Sequence, residues 1–516
     1  MRRLSARLKA LPMLAALVLP ATEAPAPAGL DGARGCPAVA RPQVPGARIL
    51  TVAVAGHPGG VAFLSDGGHL VTGVPAFCDV TVVLTHPGAG DRVRVRLWLP
   101  RTRWNGRFQA VGGGGFSAGG SERTLIPAIR GGYAAASTDA GDRTASSGRP
   151  DWALDPDGTV NEGLLTNFAY RSVHEMSIVG KQVTAGFYGR PAAYSYWNGC
   201  STGGRQGLME AQRYPSDFDG IVAAAPAINW DRLTVAQFWP QVVMHDAGVY
   251  PTACAFDAFN RAAISACDAE DGVTDGIIGR PERCAFDPGT LVGRTIVCHG
   301  RRVRIGQADA DIVRKIWDGP RSTSGRQLWY GLLRGTPFTP LAATTKSPFG
   351  PRHGAPFPVA DNWIKYFLEQ RPGFDTSTIG HVGFERLFQR SRARYHAVMG
   401  TDDPDLSAFR AAGGKLITWQ GLADRVVFPQ GTIDYRRRVE AFMGGADATD
   451  RFYRVFLAPG VGHCGGGPGP VPIDPLAALV DWVEHGHAPD RLPAATTGAM
   501  GRNTTTTDLC RYPQVC

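Results

Sequence analysis

The stretch YWNGCSTGGRQG at residues 196–207 decides the fold of this chain. It places Ser201 between Gly199 and Gly203, which is the Gly-x-Ser-x-Gly spacing of a tight turn between a strand and a helix. Small residues two positions on either side of the serine let the strained backbone form and expose the hydroxyl. The stretch therefore predicts a nucleophilic serine at the end of a core strand.

Two cysteines distinguish this serine from a chance match in a chain that contains 66 glycines. Cys200 directly precedes Ser201, and Cys464 directly follows His463 in the motif GHCG at 462–465. If Ser201 and His463 meet in the folded protein, their cysteine neighbours come within disulfide reach. We therefore take His463 as the general base for Ser201.

The segments around these motifs alternate between strand and helix patterns. RVRVRLWL at 92–99 places Val93, Val95, Leu97 and Leu99 on one face, and Trp98 with three arginines on the other, which predicts a half-buried strand. Four further segments also predict strands: RFQAVGGGG (107–115), GYAAASTDAG (132–141), AYSYWN (193–198) and DGIVAAAPA (219–227). Helical patterns at 165–186 and 204–214 separate some of them. This order is typical of an α/β fold, with a mostly parallel sheet covered by helices on both faces.

The same patterns divide the chain into a leader and two parts of a core that flank an insertion. Residues 1–28 combine a basic start, a short apolar run and small residues, as in a secretory signal peptide. Core patterns cover 29–227, weaken over 228–410, and resume over 411–516. We interpret 228–410 as a lid domain inserted over the active site.

Composition narrows the classes of function. No later segment has the roughly 18 consecutive apolar residues of a membrane span, so we expect a secreted or periplasmic protein. The net charge of +9 comes without a basic run interleaved with aromatics, which disfavours nucleic-acid binding. Ten cysteines without a Cys-x-x-Cys spacing favour disulfides over zinc ligation.

The carboxylate of a triad follows from chain order. α/β-Hydrolases place Ser, Asp or Glu, and His in that order, each after a core strand. Ser201 follows AYSYWN, Asp424 follows KLITWQG, and His463 follows YRVFLAPG. The competing residues lack this position after a strand: Asp402, Asp434, His299, His381 and His485.

An oxyanion hole needs two backbone N–H groups aimed at the developing charge. One is expected from Thr202, the residue after the nucleophile. The other is expected from the glycine loop 112–115, at Gly113 or Gly114.

The segment CDAEDGVTDGII at 267–278 concentrates hard oxygen ligands. It predicts a Ca²⁺ site formed by three carboxylates and two backbone carbonyls: those of Asp268, Asp271 and Asp275, and those of Val273 and Ile277. An acidic solvated loop is the alternative interpretation. Cys267 and Cys284 bracket the loop, which favours a stapled structure, and its distance in sequence from the triad favours a structural ion.

These motifs together resemble the tannase/feruloyl esterase family. The likeness covers AYRSVHE (169–175), the run 194–230, DAEDGVTDG, GLADRVV and GVGHC. It implies an α/β-hydrolase core with an inserted lid, a calcium ion in that lid, and a Cys200–Cys464 disulfide. By similarity the chain also pairs Cys36 with Cys78 and Cys267 with Cys284, and the four remaining cysteines are assigned as Cys510–Cys516 and Cys254–Cys298.

The resemblance implies hydrolysis of small aromatic esters, free or attached to plant polysaccharide or polyphenol. Their acids are gallic, hydroxycinnamic or related acids such as terephthalic acid. Trp363, Tyr366 and Phe367 are candidates for an acyl pocket, with core packing as the favoured interpretation. Two rival functions remain: a serine peptidase on the same core, and a non-catalytic binding protein stabilised by calcium.

Overall fold

A computed structural model describes residues 36–63, 70–120, 122–142, 147–348, 350–497, 503–514 and 516. The predicted signal segment 1–28 lies outside the described residues. In chain order the strands are β1 Arg48–His57, β2 Gly60–Phe63, β3 Leu70–Val74, β4 Phe77–Thr85, β5 Val93–Pro100, β6 Arg107–Gly114, β7 Ser117–Gly119, β8 Ala134–Thr138, β9 Tyr194–Cys200, β10 Gly220–Ala224, β11 Thr295–Cys298, β12 Arg301–Arg304, β13 Thr344–Lys346, β14 Arg352–Gly354, β15 Lys415–Gly421, β16 Tyr453–Ala458, β17 Val471–Pro472, β18 Arg491–Thr497 and β19 Asn503–Cys510.

The α-helices, in chain order, are α1 Glu122–Arg130, α2 Glu162–Thr166, α3 Ser172–Tyr188, α4 Thr202–Arg213, α5 Trp230–Ala236, α6 Trp239–Ala247, α7 Ala253–Cys267, α8 Gln307–Asp318, α9 Pro358–Asn362, α10 His381–Met399, α11 Ser407–Ala411, α12 Pro429–Met443, α13 Ala446–Asp450 and α14 Pro475–His485. Two π-helical turns occupy Asn167–Arg171 and Trp363–Leu368. Short 3-10 turns occupy Asp268–Asp271, Pro288–Leu291 and Thr376–Thr378. None of the helices in the described ranges is long and apolar enough to cross a membrane.

The central sheet has the order β1-β4-β5-β8-β6-β9-β10-β15-β16, with β7 paired to β6. The pairs from β8 through β6, β9, β10 and β15 to β16 are all parallel. The first three pairs of the order, from β1 to β8, are antiparallel. The predicted α/β class with a mostly parallel sheet is confirmed. Because parallel strands end at the same edge, the turns after β6, β9, β15 and β16 converge there.

The strands β10 and β15 are direct parallel neighbours, although residues 225–414 lie between them in the chain. The largest apolar cluster includes Phe116 and Phe168 as well as Trp230, Trp363 and Phe367 from this long connection. Gly35–Cys516 forms one compact unit. The inserted segment therefore packs on the core through a shared apolar cluster, and the boundaries 228 and 410 stay predictions.

Strand β5 is more buried than its alternating sequence predicts. Trp98 is only 2% exposed, because it packs in an apolar cluster with Phe77 and with Leu125 and Ile126 of α1. On the same face, Arg96 Nε donates to both carboxylate oxygens of Asp79. The prediction of a solvent face at Trp98 was wrong because α1 covers that side of the sheet.

Candidate active site

The nucleophile turn follows directly from the sequence around Ser201. Strand β9 ends at Cys200 and α4 begins at Thr202, so Ser201 occupies the single residue between them. Its backbone has φ 63° and ψ −119°, a strained conformation for a residue other than glycine. A Cβ atom on Gly199 would lie 2.6 Å from the carbonyl carbon of Gly203, so only glycine fits at 199. The turn has the geometry that the Gly-x-Ser-x-Gly spacing predicts.

Asp424 and His463 meet at the ends of neighbouring strands. His463 Nδ1 lies 2.8 Å from Asp424 Oδ2, and the Asp424 side chain is fully buried. The other oxygen, Oδ1, accepts the backbone N–H groups of Val426 (2.8 Å) and Val427 (2.9 Å). Gln420 Nε2 also donates to Oδ2 at 3.0 Å. These contacts hold the carboxylate in one orientation, and the carboxylate in turn holds the ring, which leaves His463 Nε2 for proton transfer.

The competing residues are engaged elsewhere. Asp402 accepts from Arg232 at 2.6 Å and from Arg438 at 3.3 Å. Asp434 lies 3.1 Å from Arg438 Nε, and His381 Nε2 lies 2.7 Å from the Arg321 carbonyl. Asp424 and His463 pair with each other, and His463 lines the cavity that Ser201 also lines.

Ser201 and His463 line the same cavity, which has a volume of about 910 Å³. Apolar side chains form much of the wall of this cavity: Trp230, Leu233, Phe357, Val359, Val426 and Val427. Such a lining suits a flat aromatic group, with a few polar atoms to orient it.

Sequence reasoning missed this apolar wall. The three aromatic candidates are absent from the cavity lining, since Trp363, Tyr366 and Phe367 belong to the buried apolar cluster. Trp230, by contrast, begins α5 just after β10 and faces the cavity. Trp230 could have been predicted from its position shortly after a core strand, since the same rule selected Ser201, Asp424 and His463.

Two groups of backbone N–H donors lie beside Ser201. Thr202 is the first residue of α4, so its N–H has no partner within the helix. The Gly113 N–H donates to Gln206 Oε1 at 3.1 Å and is already engaged. Gly114 lines the cavity, and no atom lies within 4 Å of the position its Cβ would take. Of the two glycines predicted, Gly114 is therefore the one with open space at the position of a side chain.

Five disulfides are present, and they are the pairs that the resemblance and the remaining cysteines predicted: Cys36–Cys78, Cys200–Cys464, Cys254–Cys298, Cys267–Cys284 and Cys510–Cys516. In the second pair the Cα atoms are 5.9 Å apart. Because Cys200 adjoins Ser201 and Cys464 adjoins His463, this bond joins the serine turn to the histidine loop.

Arg205 supports the nucleophile helix from within the protein. Its side chain is fully buried and donates to the Ala169 carbonyl at 2.9 Å and the Phe168 carbonyl at 3.1 Å. Both carbonyls belong to the π-helical turn that interrupts the helix predicted over 165–186. The guanidinium also lies 5.9 Å from the Trp230 ring, and burial lowers the pKa of Arg205 to about 9. Arg205 thus connects α4 to one wall of the cavity.

The predicted calcium ligands lie in one loop, but their carboxylates do not converge. Asp268 accepts the backbone N–H groups of Asp275, Gly276 and Ile277 at 3.0–3.2 Å. Asp271 accepts from Val273 and Gly279, and both Asp271 and Asp275 are exposed. Two ligands of one Ca²⁺ must lie within about 5 Å of each other. The described residues bring no such trio together in this loop, so the side chains would have to turn before they held an ion with the Val273 and Ile277 carbonyls.

One group of three potential metal ligands does converge, at His174, Glu210 and Asp217. His174 Nδ1 lies 2.7 Å from Asp217 Oδ2. Burial, with the nearby Asp217 charge, raises the pKa of Glu210 well above its usual range. Because His174 already pairs with Asp217, we assign the group to the packing beneath α4.

The chain was compared with families and with proteins of known function. The family model described as "Tannase and feruloyl esterase" matches residues 78–516. A probable feruloyl esterase of Arthroderma benhamiae is 47% identical over 484 residues, which cover 93% of this chain and 90% of that protein. The mono(2-hydroxyethyl) terephthalate hydrolase of Piscinibacter sakaiensis is 31% identical over 509 residues, and the match covers 86% of this chain and 82% of that protein.

Solved structures agree with these sequence matches. The tannin acyl hydrolase from Aspergillus niger superposes with a TM-score of 0.83 at 27% identity. The superposition covers 91% of this chain and 89% of that one. The fold is therefore the α/β-hydrolase fold with its insertion, as the resemblance implied.

Proposed function

Since this chain belongs to the tannase and feruloyl esterase family, whose members are carboxylic ester hydrolases, we propose that it cleaves esters of aromatic acids with Ser201 as nucleophile. The observation that carries the proposal is the His463–Asp424 hydrogen bond of 2.8 Å at a cavity that Ser201 also lines. A serine needs such a base and such a carboxylate to attack an ester at neutral pH.

The reaction proceeds in two halves. His463 Nε2 takes the Ser201 proton as Oγ attacks the ester carbonyl, and Asp424 stabilises the imidazolium. The N–H groups of Thr202 and Gly114 hold the oxyanion. His463 then donates its proton to the departing alcohol, which leaves an acyl-enzyme. Water activated by His463 releases the acid and restores Ser201.

An aromatic acyl group fits the cavity best. Trp230, Leu233 and Phe357 provide an apolar wall next to Ser201, which stabilises a ring through burial of apolar surface. The named relatives act on different aromatic esters: feruloyl esters, tannins and a terephthalate monoester. We assign this chain to that class of substrate without choosing one acid.

We further propose that the protein is exported and that the loop from Asp268 to Ile277 binds a structural Ca²⁺. Five disulfides suit an oxidising compartment. The loop supplies oxygen ligands and is stapled by Cys267–Cys284, and the exposed Asp271 and Asp275 would exchange their backbone N–H contacts for an ion. Chelation is expected to lower the thermal unfolding midpoint, and Ca²⁺ but not Mg²⁺ is expected to restore it. An unchanged midpoint would remove the ion from the proposal.

The function is tested with initial rates on methyl gallate, methyl ferulate, a terephthalate monoester and a peptide amide of the same aromatic acid. We expect turnover of at least one ester and none of the amide, whereas a serine peptidase would cleave the amide. Ser201→Ala is expected to lower the ester rate by about 10³-fold or more. Ser265→Ala, an exposed serine on α7, is the matched control. A non-catalytic binding protein would show no turnover in any variant.

A further inference from the structure

A second cavity lies against His463 on the side of the Asp424 loop. Its volume is about 240 Å³, which is roughly eight waters' worth of space. Four loops form it, at 276–281, 334–337, 422–425 and 460–468. Ser201 and Cys464 do not line it, so it is separate from the acyl cavity and shares with it only His463.

The lining of this second cavity is positively charged. Arg334 and Arg425 contribute guanidinium groups, and none of its lining residues is a carboxylate. Among the described residues neither arginine has a carboxylate oxygen within ion-pair distance, although the charges of Asp318 and Asp287 act on Arg334 from outside the cavity. Guanidinium groups without a direct carboxylate partner in a recess form a site for an anion, above all for a planar carboxylate.

Arg334 is held in place before any ligand arrives. Its Nε donates to the Phe286 carbonyl at 3.1 Å, and its guanidinium lies 5.0 Å from the Trp317 ring. Arg425 is exposed and follows Asp424 directly. One arginine is therefore fixed and the other is free to close on a ligand.

The rest of the cavity is apolar. Ile264, Ile277, Ile278 and Leu422 contribute hydrocarbon surface, and the glycines of the histidine loop add no side chains. Charge on one part of the lining and hydrocarbon on the other suit a ligand with one ring and one carboxylate. The histidine loop touches this cavity closely: a Cβ on Gly460 would lie 3.0 Å from the Ile277 side chain.

We propose that the second cavity binds a small organic carboxylate through Arg334 and Arg425, beside the catalytic histidine. The role of this site rests on the proposed function, since ester hydrolysis has two sources of such a group. One source is the free aromatic acid that the reaction releases. The other is a carboxylate on the alcohol part of the ester, whose oxygen must approach His463 as it leaves.

The binding test uses benzoate as the probe and benzamide as its uncharged counterpart. The mature protein is first labelled on Ser201 with phenylmethylsulfonyl fluoride, which places an aromatic ring in the acyl cavity beside Ser201, and binding is measured by calorimetry. We expect benzoate but not benzamide to bind the labelled protein. Arg334→Gln and Arg425→Gln should each weaken binding by about tenfold. Arg410→Gln, an exposed arginine of α11 outside both cavities, should have no effect.

Loss of benzoate binding on labelling would overturn the proposal, because the anion would then occupy the acyl cavity. Binding that persists but ignores both arginine variants would overturn it as well. Persistent binding that depends on both arginines supports the site, whichever ester the enzyme prefers.

A kinetic comparison distinguishes the two sources. If the carboxylate belongs to the alcohol, the enzyme should favour the ferulate ester of glycolate over methyl ferulate by about tenfold in kcat/KM, and Arg425→Gln should abolish that ratio. If the carboxylate is the free acid, the ratio stays near one and benzoate inhibits in a mixed manner. If neither ester is cleaved, the proposed function fails while the binding result stands on its own.

Discussion

Two regions of this protein concentrate acidic and polar residues, and they differ in what the fold does with them. The residues of the proposed triad are far apart in the chain, at 201, 424 and 463, yet they follow β9, β15 and β16, which end at one edge of the sheet. The acidic loop packs Asp268, Asp271 and Asp275 into eight residues, yet each carboxylate accepts backbone N–H groups of the loop and the three do not converge on one point.

The difference shows that sheet topology predicts which side chains meet better than the density of acidic residues along the sequence does. Parallel strands must end at the same edge, so residues that follow them meet there whatever lies between. A short loop carries no such constraint, and its carboxylates satisfy the nearest backbone donors first. Replacing an aspartate by asparagine is therefore expected to affect activity at Asp424 and stability at Asp268.

Asp424→Asn is expected to give the largest effect. The amide cannot stabilise the His463 imidazolium and can hold the ring in the wrong tautomer, so kcat should fall by about four orders of magnitude. Steady-state rates on the best ester of the panel measure this, with circular dichroism to verify the fold. A loss below tenfold would show that another carboxylate orients His463.

The clamp between the serine turn and the histidine loop gives the second prediction. The Cys200–Cys464 bond closes 264 residues, and Cys510–Cys516 closes 6. By loop-closure entropy, replacing both cysteines by serine should lower the free energy of unfolding by about 5 kcal/mol for the first pair and about 2 kcal/mol for the second. Urea unfolding of the two double variants measures the difference. Equal losses would mean that the clamp constrains the unfolded chain no more than the terminal bond does.

Sequence reasoning predicted the α/β class and the meeting of Asp424 with His463 because both depend on order along the chain, whereas the disulfide pairs came from the resemblance to a known family and from the cysteines that remained. Asp424 and His463 were found from their positions after strands, and that rule holds regardless of how residues 425–462 between them fold. It could not reach features that depend on what packs against an element. Trp98 was placed toward solvent because the alternation in β5 carries no information about α1 above it.

The π-helical turn at Asn167–Arg171 was missed for a related reason. Apolar periodicity in α3 continues through Val173, Met176 and Val179 without a break that a reader of the sequence would notice. The partners of the turn's carbonyls come from Arg205 on α4, more than thirty residues away in sequence. A long-range hydrogen bond of this kind has no local signal.

Asp268→Asn is the counterpart of the triad substitution and should act on stability alone. In the variant an amide NH2 group replaces one carboxylate oxygen and faces the backbone N–H of Gly276, which donates to both oxygens of Asp268, so the free energy of unfolding should fall by about 2 kcal/mol. We expect kcat to change less than twofold. Chemical unfolding and ester rates on the same preparation measure both. A large loss of kcat with intact stability would show that the loop acts on the histidine loop through Ile277 and Gly460.

The smallest expected effect concerns a second buried histidine, His86, which no part of the reaction uses. Its Nδ1 lies 2.6 Å from Asp91 and its Nε2 lies 2.6 Å from Glu175. Burial alone would lower the pKa of His86, but the hydrogen bonds to Glu175 and Asp91 outweigh it and raise the pKa above the ordinary 6.5. The folded protein therefore holds this proton more tightly than the unfolded chain does.

The sign of the pH dependence follows from that difference. Stabilisation by His86 is fully present below pH 6.5 and is lost as the pH rises through the raised pKa of the folded state. Urea unfolding across this range should show stability falling with pH, by less than the loss in Asp268→Asn. Glu175→Gln removes the negative charge that faces the His86 imidazolium, so it should flatten the dependence of stability on pH. An unchanged slope in that variant would assign the pH dependence to another group. A buried histidine held between two carboxylates thus contrasts with His463, which has one carboxylate at Nδ1 and keeps Nε2 for the reaction.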